Sequence, residues 1–116
     1  MLYTAQYRYP GRDRLDITVK GNDPAGKLYA PTWPMVRDVK SGALPEDWYE
    51  GIYYDLLIER WKTNGAEMHR LVDMVRDRDI TVVCFCPAGQ FCHRHLLVKF
   101  LQHNWAVEYG GERTGF

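Results

Sequence analysis

What this 116-residue chain lacks narrows its chemistry before any motif is considered. It has no surplus of either charge, since fifteen Lys and Arg balance fifteen Asp and Glu. A molecule without a net positive field does not hold nucleic acid by bulk phosphate neutralisation, so any such contact is expected to be local. No apolar run approaches the ~20 residues of a membrane span. The opening Met1-Leu2-Tyr3-Thr4-Ala5 enters a strand-like pattern at once, without the charged and apolar regions of an export signal. The expected setting is the cytoplasm, with no membrane partner. Cysteine is scarce as well, and the odd count of three argues for reduced thiols and against a disulfide framework. No repeat or low-complexity stretch divides the chain. Its length and its hydrophobic fraction of 46% suit one globular domain over residues 1–116.

The scarce cysteines are all in one place, the stretch Ile80-Thr-Val-Val-Cys-Phe-Cys-Pro-Ala-Gly-Gln-Phe-Cys-His-Arg-His95. Ile80, Val82, Cys84 and Cys86 alternate with Thr81, Val83 and Phe85, which reads as a strand buried on both faces. Pro87, Ala88 and Gly89 end it. Leu96, Leu97, Phe100 and Leu101 then recur at helical spacing, so Cys92, His93 and Arg94 belong to the first turn of a helix running to about Asn104. Unpaired N–H groups and partial positive charge at a helix start favour anions and thiolates. The expected site therefore has Cys86 facing Cys92, His93 and Arg94 across a strand-to-helix turn.

Elsewhere, Leu2–Tyr9 and Arg14–Lys20 alternate as strands, hairpin-like or neighbouring. Gly21–Pro34, with three prolines and two glycines, reads as a surface loop, in which Tyr29 and Trp33 either cap the core edge or form an aromatic lid. Met35–Lys40 is a short helix or turn. Leu44-Pro45-Glu-Asp opens a clear helix carrying Tyr49, Ile52, Tyr53, Leu56 and Leu57. Asn64-Gly-Ala-Glu67 resembles a capping box for a second helix bearing Met68, Leu71, Val72 and Val75. Trp105–Tyr109, closed by Gly110-Gly111, reads as a last strand. The expected fold class is α/β, a small three-layer domain with a mixed, partly parallel sheet.

Spacing excludes three familiar uses of the cysteines. A phosphatase-type loop needs five residues between Cys and Arg, whereas seven separate Cys86 from Arg94. A redox Cys-x-x-Cys is absent. Zinc can in principle use Cys84, Cys86, Cys92 and His93, but the spacing is not that of paired knuckles, so no metal is expected. Cys84 is expected to be core. Cys92, Cys86 and His93 are the candidate catalytic groups, two thiols and a proton carrier. Arg94 is the candidate clamp for a phosphate or carboxylate, with Trp33 and Arg8 as further ligand contacts. A Cys86–Cys92 disulfide is a possible product of oxidation.

The segment Val83-Cys-Phe-Cys-Pro-Ala-Gly-Gln-Phe-Cys-His-Arg-His-Leu-Leu97 resembles the signature of domain-of-unknown-function family 488, found in bacteria and phages. The resemblance extends to Tyr3-Thr-Ala-Gln-Tyr7, Asp16-Ile-Thr18, Ala30-Pro-Thr-Trp33, the Tyr49 and Tyr53 pair, and Glu108. It implies a three-layer α/β domain with Cys92, His93 and Arg94 at a ligand pocket, and adds Tyr53 and Glu108 to the ligand-binding candidates. It supplies no reaction. Larger members carry an early Asp-Val-Arg motif; Asp38-Val39-Lys40 comes later here, and the short phage-like branch is nearer.

The residues point to binding or processing of a phosphate-bearing ligand, a nucleotide or nucleic-acid-derived molecule, at the Cys-His-Arg pocket. The alternative is a non-catalytic protein-interaction module that uses the Trp33 loop. Neither a cofactor nor an oligomeric state follows from the sequence.

Overall fold

Among the described residues, four short strands form one sheet in the order β2-β3-β1-β4, where β1 is Leu2–Gln6, β2 Arg14–Asp16, β3 Ile80–Cys84 and β4 Tyr109–Arg113. The computed structural model describes every residue except 87–90, so the expected Pro87-Ala88-Gly89 turn lies outside the described residues. All three pairings are parallel, with Leu2 opposite Ile80, Leu15 opposite Val82 and Thr4 opposite Glu112. The sheet is thus α/β as expected and more uniform than a mixed one. β1 and β2 do not make a hairpin, because β3 lies between them and residues 7–13 carry the chain back to the sheet's other end.

Among the described residues, five helices follow from local signals. α1 (Pro24–Lys27) and α2 (Trp33–Ser41) lie in and after the stretch expected to be loop. The prolines there are helix starters: the Asp23 side chain caps Ala25 N–H, Thr32 caps Met35 N–H, and Pro24 and Pro34 occupy first-turn positions where no N–H is needed. α3 (Glu46–Thr63) starts after Pro45 with Glu46 and Asp47 in its first turn. α4 (Gly65–Asp77) follows at once, but Asn64 makes no side-chain cap, so the capping box is not formed. α5 (His93–Trp105) ends at Ala106 in the left-handed region (φ 51°).

That stop delays the last strand. It runs over Tyr109–Arg113 and not Trp105–Tyr109, because Trp105 is still helical and the two glycines are part of the strand. Glycine is required at 110, where a Cβ would lie 2.3 Å from the Tyr3 ring, and Gly111 has φ +112°. Strand β4 therefore extends far enough to put Glu112 beside Thr4.

One face of the sheet, bearing Leu2, Leu15, Ile80 and Val82, joins Leu57, Met68, Leu71, Leu97 and Leu101 in the core. The opposite face, with Ala5, Thr81 and Val83 fully buried, is roofed by long side chains of residues 7–13 and the sheet itself. Tyr7 stacks on Phe85 with ring centroids 4.3 Å apart, and the Arg113 guanidinium lies 3.7 Å from the Tyr3 ring centroid. Asp13 is central there, accepting from Tyr9 Oη and Thr81 Oγ1, each at 2.6 Å, with Arg113 3.4 Å away. Burial pushes its carboxyl up, but the bonds from Thr81 and Tyr9 and the Arg113 charge outweigh that, leaving it below the ordinary 3.8. A lowered folded value adds stability that is complete above the unfolded value and is lost as pH falls through the folded one. Urea unfolding of Asp13→Asn should accordingly show a lower midpoint than wild type at neutral pH and a gap that closes below pH ~4. A gap independent of pH would contradict this.

Tyr53, a candidate ligand contact, is instead fully buried. Its hydroxyl donates to the Tyr29 carbonyl at 2.6 Å, Tyr29 Oη donates to the Met68 carbonyl at 2.7 Å, and Arg60 Nη1 donates to the Leu28 and Ala30 carbonyls. Tyr29 is therefore core, and this network fixes the backbone that leads to Trp33. Tyr53→Phe leaves a buried carbonyl without its donor and should cost about 1–2 kcal/mol in thermal unfolding. An unchanged midpoint would show that the hydroxyl is dispensable.

Among the described residues, no helix is long and apolar enough to cross a membrane.

Candidate functional site

Ligands in parallel α/β sheets collect where strand ends meet helix starts, and here β3 ends at Cys84 while α5 begins after Cys92. The pocket at this place holds about 400 Å³. Its floor is Cys84, Cys92 and His93, and its walls include Trp33, Tyr49, Phe85, Cys86 and Phe91, with Lys20, Lys40 and Glu46 also lining it. Trp33 is 55% exposed, and the Lys20 ammonium sits 5.3 Å from its ring centroid.

Cys84 occupies the position expected for Cys86. Alternation holds through Val82 and Cys84, and the strand then stops, so Cys86 lies beyond it, half-buried at the pocket wall. The Cys84 and Cys92 sulfurs are in direct contact, paired as a disulfide, and Cys86 is the free, half-buried thiol. A Cys86–Cys92 pair is therefore not formed. Cys84 is buried as expected, yet it belongs to the site as much as to the core.

His93 lies on the pocket floor with its ring 5.8 Å from that of Tyr53, edge to face. Its Nε2 is 2.7 Å from the Ile17 carbonyl, an acceptor only, so Nε2 carries the proton and Nδ1 the lone pair. Nδ1 in turn is 3.7 Å from Cys92 Sγ. Burial, assisted by the Arg94 charge, lowers its pKa to about 4 against the opposing Ile17 bond and Asp16 charge. At neutral pH the ring is thus neutral and can accept a proton or act as a ligand through Nδ1.

Arg94 is not placed as a ligand clamp, because its side chain is fully buried. It donates to Glu112 through Nε (3.2 Å) and Nη2 (2.7 Å), and through Nη1 to Cys84 Sγ (2.9 Å) and the Cys86 carbonyl (2.8 Å). Burial works against the Glu112 carboxylate, but the bonds from Arg94 and Thr4 with the charges of Arg94 and His95 hold it below the usual range. Arg94 thus ties the end of β3 to β4 and points a cation at the Cys84 sulfur. Of the other candidates, Trp33, Cys86, Cys92 and His93 meet in the pocket, while Arg8 and Glu108 are exposed and outside its described lining. Sequence reasoning missed Glu112, Lys20 and Lys40. The first is hidden by the misplaced last strand, Lys20 by a strand reading that runs on past Asp16, and Lys40 by its place at the end of a segment read as a short helix or turn.

Residues 4–105 match the profile of the active DUF488-N3 subclade, DUF488-N3a. The chain belongs to the DUF488 family. Neither the curated proteins nor the solved structures offer a match. Every described residue that lines the pocket falls within the DUF488 span, whereas Glu112, the partner of Arg94, lies beyond it.

Proposed function

We propose that this DUF488 protein binds and processes a phosphate-bearing ligand of nucleotide type in the pocket between β3, α2 and α5. The observation that carries the reading is the grouping in one pocket of two lysines, an exposed tryptophan and a floor made of the Cys84–Cys92 pair and a neutral imidazole. Lys20 and Lys40 supply the positive charge that a phosphate needs, now that Arg94 is engaged with the protein. Trp33 offers a face on which a base can stack, an interaction worth ~1–3 kcal/mol in nucleic-acid sites. Once the Cys84–Cys92 pair is reduced, His93 Nδ1, 3.7 Å from Cys92 Sγ, can take the Cys92 proton, and Cys86 lines the same pocket as a free thiol. A cytoplasmic setting, where thiols are kept reduced, suits this set.

Mass spectrometry of small molecules released from purified protein tests the reading. Phosphate-bearing compounds should be retained by the wild type and depleted in Trp33→Ala. Retention only of compounds without phosphate would contradict it. The second reading, a non-catalytic interaction module, draws on the exposure of Trp33 (55%) and Trp48 (67%). In that case Trp33→Ala should abolish binding of a protein partner, and neutralising Lys20 and Lys40 should leave it unchanged.

A further inference from the structure

The side chains of Cys84, Cys92 and His93 converge, all buried, with their ligand atoms within 4.8 Å of one another. Tetrahedral zinc with Zn–S of about 2.3 Å and Zn–N of about 2.0 Å sets its ligand atoms roughly 3.5 Å apart, and the His93 Nδ1 to Cys92 Sγ distance is 3.7 Å. The Cα atoms of Cys84 and Cys92 are 7.7 Å apart. That exceeds the ~4.4–6.8 Å over which disulfides ordinarily close, while two thiolates on either side of an ion accommodate it. From this geometry we infer that the reduced protein holds a zinc-class divalent cation on Cys84 Sγ, Cys92 Sγ and His93 Nδ1.

The surroundings suit that set. His93 donates Nε2–H to the Ile17 carbonyl, the outer-shell bond that fixes a ligating imidazole's tautomer and turns its other nitrogen to the metal. Arg94 Nη1 donates to Cys84 Sγ at 2.9 Å, which stabilises a thiolate there. Cys92 is the N-cap of α5 but its side chain makes no capping bond, so its sulfur is turned away from the backbone and toward the other two groups. Charge balances too. Two thiolates and a neutral imidazole cancel a divalent ion, and Glu112 cancels Arg94. On binding, the two thiol protons leave to solvent. All three ligands line the pocket, so a fourth position opens onto it, the arrangement of sites that keep one place for water or substrate. Cys86 has no part in the set. The spacing Cys-x7-Cys-His departs from knuckle motifs because the first ligand comes from a strand end and the other two from a helix start.

The inference is independent of the phosphate reading, since the ion alone is the probe. Full-length protein kept in reductant, loaded with Zn²⁺ and freed of unbound ion, should retain about one equivalent by elemental analysis. Co²⁺ in its place should give thiolate-to-cobalt charge-transfer absorption. Cys84→Ser and Cys92→Ser should each weaken binding by more than the ~10–100-fold typical of losing an outer-shell partner, and Cys86→Ser should not. Should the serine variants fail to fold, the wild type still decides: Zn²⁺ should slow alkylation of Cys84 and Cys92, read by peptide mass spectrometry, and spare the rate at Cys86. The proposal is overturned if reduced wild type retains no metal, or if Zn²⁺ protects Cys86 equally. Recovery of Cys84 and Cys92 as a disulfide from protein kept in reductant would also overturn it and make the pair a redox element.

Discussion

Replacing Arg94 with methionine is expected to cost about 3–5 kcal/mol of folding stability and to lower the thermal midpoint by roughly 15–20 °C. The reason is asymmetry. Arg94 is fully buried and its fork meets both oxygens of Glu112, whose side chain is only 17% exposed. Removing the cation leaves a carboxylate largely shut off from water, and the Cys86 carbonyl and Cys84 sulfur lose a donor as well. A methionine cannot supply any of these. Arg94→Lys should recover little, because one ammonium does not reproduce a bidentate fork. The Arg94→Met/Glu112→Met double variant should regain much of the loss, since a buried pair replaced by apolar groups is often close to neutral. If Arg94→Met kept its midpoint and lost only ligand retention, Arg94 would be a clamp after all.

The second large effect concerns ligand affinity. Lys20→Ala/Lys40→Ala should weaken binding of a phosphate-bearing ligand by about 100-fold at low salt, taking ~1.5–3 kcal/mol for each charged hydrogen bond and discounting for exposure. Both lysines are exposed and line the pocket, so the double variant should keep wild-type stability within ~0.5 kcal/mol. Calorimetric titration across a salt series checks this. The wild-type affinity should fall as salt rises, and that of the variant should respond less. Unchanged affinity in the variant would remove phosphate recognition from these residues.

The two variants divide roles that the sequence merged in one motif. Cys-His-Arg reads as three groups around a ligand, and a helix start at Cys92 was legible from the spacing of Leu96, Leu97, Phe100 and Leu101. Cys92 and His93 both line the pocket, Cys92 paired there with Cys84. Arg94 turns inward because its partner is Glu112, eighteen residues on in a strand that local periodicity placed too early. Pairings of that kind depend on how strands order in the sheet, and the β2-β3-β1-β4 order is not written in any window of the chain. Cys84 and Cys86 differ for a similar reason. Both have the right parity, and only the end of β3 at Cys84 decides which sulfur meets Cys92. In 21–34 the prolines were visible but their sense was not, since Asp23-Pro24 and Thr32-Trp-Pro34 mark helix starts as readily as loops.

The central claim is that this pocket recognises phosphate. Its most direct measurement is a calorimetric comparison, on the reduced wild-type protein at one salt concentration, of nucleoside monophosphates with their parent nucleosides. The account predicts saturable binding of the phosphate forms, at least tenfold tighter than the nucleosides, about 1.4 kcal/mol or more. Equal affinity for both forms, or binding of neither, would contradict it.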